Sequence, residues 1–136
     1  MGLIADTAPP GLISLKSALP VKESVDRLVH LLESKGLTVF CRVDHAAGAA
    51  AVGMQLRPTT VVIFGNAKGG TPLMQASQTI GIDLPLKVLA WEDASGQTWL
   101  SYNDPVWLTE RHGIQAAGAA SANVMRALLS TVTRAP

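Results

Sequence analysis

Two periods run through the hydrophobic and polar positions of this chain and divide it into helices and strands. Behind Pro20, residues Val21, Val25, Leu28, Val29 and Leu32 recur at spacings of three and four. That spacing predicts a helix with one apolar stripe, opened by a proline whose fixed φ suits a first turn. Gly36 ends it in the left-handed position that follows a last turn. From Leu37 to His45 the period falls to two: Val39, Cys41 and Val43 share one face, and Phe40, Arg42 and Asp44 the other. The segment reads as a strand in which Cys41 is a small buried hydrophobe among apolar neighbours.

The rest of the chain divides in the same way. Gly11 to Leu19 reads as a short first strand, Ala46 to Met54 as a short helix of small residues stopped before Pro58, and Thr59 to Phe64 as a central β-branched strand ended by Gly65. A helix is predicted over Thr71 to Ile80, closed off by Gly81 and Pro85. Leu86 to Trp91 and Thr98 to Tyr102 form a hairpin, with Gly96 at the positive-φ position of its loop. Asp104 caps a helix that starts at Pro105 and stops before Gly113. The last helix runs from Ala117 to Val132 with Val124, Leu128 and Val132 on one face, and its Ala116–Ala120 start admits a close backbone, from this subunit or a second one. Helices and strands mix without strict βαβ alternation, so the fold class is α+β, an antiparallel or mixed sheet with helices packed on one side.

Composition narrows the partners. The 136 residues suit one domain, expected over 11–136 behind a flexible segment 1–10. Eleven Lys and Arg against ten Asp and Glu remove the general electrostatic case for nucleic acid or an anionic membrane. The N-terminal residues lack the basic and apolar regions of a signal peptide, and one cysteine makes no disulfide framework, so a cytoplasmic protein is expected. Only 15% of residues are charged, well below the roughly 25% usual for a domain. Uncharged surface on that scale suggests a homo-oligomer interface or an apolar pocket.

Three groups carry candidate chemistry. In Gly65-Asn66-Ala67-Lys68-Gly69-Gly70-Thr71 a strand end meets a glycine-rich turn and a helix start, where backbone N–H groups and Lys68 suit a small anionic ligand. The P-loop pattern fails, because Thr71 directly follows Gly70 where the P-loop lysine belongs. Asp44-His45, with Arg111-His112, suggests acid–base work, but adjacent side chains on a strand point to opposite faces, and the spacing is not that of a metal site. Trp91, Glu92, Trp99, Tyr102, Asn103 and Trp107 line a pocket or pack a core or an interface.

The same segments resemble a known family. Phe40-Cys41-Arg42-Val43-Asp44-His45, Leu56-Arg57-Pro58, Phe64 to Met74, Asp83-Leu84-Pro85-Leu86-Lys87, Trp91-Glu92-Asp93, Ser101 to Pro105 and Glu110-Arg111-His112-Gly113 are similar, in order and separation, to the bacterial domain-of-unknown-function 302 family. The likeness spans Gly11 to Ile114, with Ala67 where the family's loop has proline. It implies an α+β sandwich likened to the TATA-binding-protein topology, often dimeric or larger, and no established activity or cofactor. A shared topology does not imply DNA binding. The resemblance further implies that Asp44, His45, Asn66, Lys68 and His112 approach one another around a cleft.

Three functions are therefore expected to compete: a homo-oligomeric domain binding a small anionic ligand at Gly65–Thr71 with His45 or His112 assisting, an enzyme using His45 oriented by Asp44, and an oligomerisation module without a ligand.

Overall fold

The computed structural model describes residues 8–115 and 117–135. Five strands, β1 (Leu12–Ser17), β2 (Thr38–Asp44), β3 (Thr59–Gly65), β4 (Leu86–Glu92) and β5 (Thr98–Asn103), form one sheet in the order β1-β5-β4-β3-β2. Every neighbouring pair is antiparallel. The helices are α1 (Val21–Ser34), α2 (His45–Ala51), α3 (Ala67–Ala76), α4 (Pro105–Arg111) and α5 (Ala119–Val132), with a short 3₁₀ helix at Gln78–Ile82. The fold is thus α+β with an antiparallel sheet. Of the segment expected to be flexible, residues 1–7 lie outside the described residues, and Leu12 N–H donates to Pro9 O at 3.1 Å.

The core follows from the two periods. Val21, Val25, Leu28 and Leu32 of α1 and Met125, Leu128, Leu129 and Val132 of α5 pack on Val62, Phe64, Val88, Ala90, Leu100 and Tyr102, which alternate to one side of the sheet. Each Val, Leu, Met or Phe side chain among them taken from water stabilises the fold by about 1.5–3 kcal/mol before entropy is counted. Ser24 lies fully buried on the apolar side of α1, and its hydroxyl bonds Ser17 Oγ at 2.8 Å and donates to Leu19 O at 3.2 Å. Val124, expected among the buried residues of α5, is 53% exposed; Met125 one position on turns inward instead. Gly118 sits against the backbone of Pro105 in the same subunit, with a notional Cβ only 2.6 Å from Pro105 O.

The opposite side of the sheet carries Leu12, Val61, Ile63, Leu89, Trp91 and Trp99, all half-buried. Trp91 and Trp99 pair across the hairpin and stack at 6.2 Å. Their indoles donate to Ser101 Oγ at 2.8 Å and Asp93 Oδ2 at 2.9 Å, so these two aromatics pack the hairpin on itself.

Two local expectations are corrected. Cys41 is exposed, not buried. The register of β2 shifts between Val39 and Cys41, leaving Phe40 as an extra residue; Val39 stands opposite Phe64, but Cys41 then faces Ile63 and Arg42 faces Val62. The bulge turns Cys41 and Val43 to the open side and swings Arg42 to the helical side, where it meets Asp26 of α1 at 2.9 Å. The helix expected at Thr71–Ile80 begins at Ala67 and ends at Ala76. Asn66 Oδ1 accepts from Gly69 N–H at 2.6 Å, and this cap recruits the glycines into the first turn. Ser77 is then extended, and the chain restarts as the 3₁₀ helix.

Candidate functional site

Where β3 ends, the chain builds a hollow. Gly65 and Asn66 lead into α3, whose Gly69, Gly70, Thr71, Leu73 and Met74 form one wall. The 3₁₀ helix and the turn after it supply Ile80, Gly81, Leu84 and Pro85; α4 supplies Pro105, Leu108 and Thr109; α5 supplies Gly118, Val124, Met125 and Leu128; the bulge residue Phe40 stands beside them. The cavity holds about 470 Å³, and its surface is overwhelmingly carbon. Glycine keeps it open: a Cβ on Gly70 would reach within 3.7 Å of Leu84 Cδ1 and 3.8 Å of Met74 Cε, ordinary contact directed into the space.

The sequence-derived site residues separate into three places. Gly65, Asn66, Gly69, Gly70 and Thr71 line the cavity, whereas Lys68 is exposed and outside the lining. Two of the loop's donors are committed: Gly69 N–H to Asn66 Oδ1, and Gly70 N–H to Asn66 O at 3.1 Å. Asp44 and His45 lie at the far end of β2. Thr38 is opposite Gly65 while Asp44 is opposite Thr60, so most of a strand, about 20 Å, divides them from the loop. Asp44 Oδ1 accepts from Ala47 N–H at 2.9 Å and caps α2, and His45 opens that helix. The expected cleft joining Asp44 and His45 to Asn66, Lys68 and His112 is therefore absent among the described residues.

His112 takes a different partner. Its Nε2 is 2.6 Å from Asp83 Oδ2, its Nδ1 is 2.8 Å from Thr79 Oγ1, and Arg111 Nη1 reaches both Asp83 oxygens at 2.9 and 2.7 Å. Partial burial pushes the Asp83 carboxyl upward, but the hydrogen bonds from His112 and Arg111 outweigh it and hold the group below the usual carboxylate value. Carboxylate, imidazole and hydroxyl stand in the order of a hydrolase relay, yet Thr79 is not a cavity residue, so the hydroxyl is not aimed at a molecule bound there. Asp83 and Thr79 escaped the sequence reading because neither lies at a telling distance from His112. Asp83 has no periodic signal; only its place before Leu84-Pro85 marked the segment.

Residues 13–132 match the family model described as "Domain of unknown function DUF302". The chain belongs to this family. The match runs beyond Ile114 to the end of α5, so the final helix is part of the DUF302 domain. A crystal structure of an uncharacterized conserved DUF302 protein from Bacillus stearothermophilus superposes with a TM-score of 0.75 at 16% identity, covering 92% of this chain and 97% of that one. That likeness establishes the fold. Among curated proteins, the "Fluoride-specific ion channel FluC 1" of Brucella suis biovar 1 (strain 1330) is 44% identical over 131 residues, 96% of this chain and 52% of that protein. The "Fluoride-specific ion channel FluC 2" of Brucella melitensis biotype 1 is also 44% identical over 131 residues, with 48% of its length covered. This DUF302 chain spans about half the length of the curated relatives it matches. No helix among its described residues is long and apolar enough to cross a membrane.

Proposed function

We propose that this DUF302 protein is a small-molecule-binding domain whose ligand, largely apolar, occupies the cavity between β3, α3, α4 and α5. The supporting observation is the cavity itself, about 470 Å³ and lined predominantly by carbon. That volume falls within the range of sites that enclose small organic ligands. The glycine loop contributes shape more than charge, because the N–H groups of Gly69 and Gly70 are bonded internally and Lys68 lies outside. Acid–base work by His45 lacks support, since Asp44 is engaged as a helix cap. We also propose that the protein is a homo-oligomer in the cytoplasm, on the strength of its low charge and the apolar open side of its sheet.

The test uses Gly70→Leu and a neutral apolar fluorophore, N-phenyl-1-naphthylamine. Gly70 sits in α3 without positive φ, so leucine suits the helix there and its side chain enters the cavity. The variant is expected to keep or raise the melting temperature while losing at least about tenfold in probe affinity. Equal affinity in both proteins overturns the reading.

A second reading comes from the relatives. Their names describe fluoride channels and this chain matches only half of each. In such a protein the domain serves as an accessory module, its cavity sensing a small molecule rather than conducting the ion. Fluoride itself calls for converging N–H donors, whereas the surface of the hollow is mostly carbon. Millimolar sodium fluoride is expected to leave the melting temperature where the same concentration of sodium chloride leaves it; a fluoride-specific rise overturns this assignment.

A further inference from the structure

One wall of the cavity is held differently from the others. The stretch Ser77–Pro85 shows carbon to the cavity through Ile80, Gly81, Leu84 and Pro85, and shows polar groups to the end of α4 through Thr79 and Asp83. Its own backbone bonds are local, Ile80 N–H to Ser77 O at 3.1 Å and Asp83 N–H to Ile80 O at 2.9 Å. It belongs to no sheet ladder. What joins it to α4 by polar contact among the described residues is the cluster at Arg111 and His112: Asp83 bonded to both, and Thr79 bonded to His112.

The side chains of His112 and Asp83 are only 8% and 15% exposed. Exposed ion pairs hold little, but removing one partner of a pair shielded in this way leaves the other charge poorly solvated and loosens whatever the pair was fastening. Arg111 Nη1, 2.7 Å from Asp83 Oδ2, adds its charge to the junction.

We propose that Asp83, Arg111, His112 and Thr79 form a latch that fastens the Ser77–Pro85 wall to α4 and sets how fast a molecule enters and leaves the cavity. The control of ligand exchange rests on the small-molecule reading above; the fastening of the wall stands without it. Cutting the latch frees a segment with no ladder of its own, while Ile80, shielded from solvent, retains its equilibrium position.

Asp83→Asn keeps the shape of the carboxylate and removes its charge; Thr79→Val removes the hydroxyl's bonds to His112 Nδ1 and Ser77 Oγ, leaves every charge in place and is the milder change. Hydrogen exchange read without ligand is expected to quicken by about tenfold over residues 78–84 in Asp83→Asn, and by less in Thr79→Val, with β5 unchanged in both. Dissociation of N-phenyl-1-naphthylamine, followed by stopped flow, is expected to quicken several-fold in Asp83→Asn with a smaller change in equilibrium affinity. If Asp83→Asn does not fold, Thr79→Val decides the matter by the same measurements. The latch is overturned if exchange over 78–84 stays at the wild-type rate, if β5 quickens equally, or if the wall loosens while probe dissociation is unaltered. Failure of the wild-type protein to bind the probe defeats the small-molecule reading and the control of ligand exchange with it, and leaves the fastening of the wall to the exchange data alone.

Discussion

Asp93 organises the β4–β5 turn with one carboxylate. Oδ2 accepts from the Trp99 indole, and Oδ1 accepts from Ser95 N–H, Ser95 Oγ–H and Gln97 N–H. The Trp99 and Ser95 bonds lead in lowering its pKa to about 2. An unfolded aspartate titrates near 3.9, so the folded value is depressed. The turn's contribution to stability is therefore complete above about pH 4 and is lost as the pH falls through about 2. The Trp99 indole proton, followed by NMR, is expected to shift with a midpoint near 2; a midpoint near 4 means that the bonds in the turn do not persist in solution. Asp83 has the same sign, so acid that protonates it removes the charge on which the latch depends. Residue identity was legible at Gly96, where local turn chemistry decides the outcome, whereas the four bonds that Asp93 accepts left no mark in the sequence. It was not legible at Cys41, because a bulge one residue earlier reverses the side to which every later residue of β2 points.

Among the elements, α4 and α5 meet most closely at Gly118. Its φ of −90° is open to any residue, so the need for glycine is purely steric. A Cβ there lies 2.6 Å from Pro105 O and 2.7 Å from Val106 Cα, both backbone atoms that cannot swing aside. Gly118→Ala is expected to cost about 1–3 kcal/mol, a fall of about 3–10 °C in melting temperature. Unchanged melting would mean that the two helices are less closely docked than this. The strongly patterned elements, α1 and the β4–β5 hairpin, were plain in the sequence. The start of α3 was not, because a run of glycines argues against a helix unless one knows that Asn66 folds back to cap it. The candidate site suffered most. Asn66 and its glycines were found by motif, but what they enclose is made by Leu84, Pro85, Leu108 and Val124, whose convergence is a property of packing and leaves no mark in spacing.

For the molecule as a whole, charge is scarce and carbon is left over. Val43, Val52, Met54 and Leu56 are exposed, α2 buries none of its residues, and the open side of the sheet adds its half-covered tryptophans. An isolated seven-residue helix of this kind has little stability in water, which favours a covering partner. Light scattering at micromolar concentration is expected to give at least twice the 14.2 kDa of the chain, and a clean monomer removes the homo-oligomer proposal.

The strand order β1-β5-β4-β3-β2 has a consequence in time. Strands β2 to β5 pair each with the next along the chain, so that ribbon zips up through successive antiparallel pairs. Strand β1 waits, because Leu12 is opposite Asn103 and Ser17 opposite Thr98. On a ribosome the first strand emerges first and pairs last, after some eighty further residues have followed it, and the free edge of β5 is closed only then. Refolding is accordingly expected to be limited by capture of the N-terminal strand, a distant closure that is slow for reasons of chain entropy rather than of core quality.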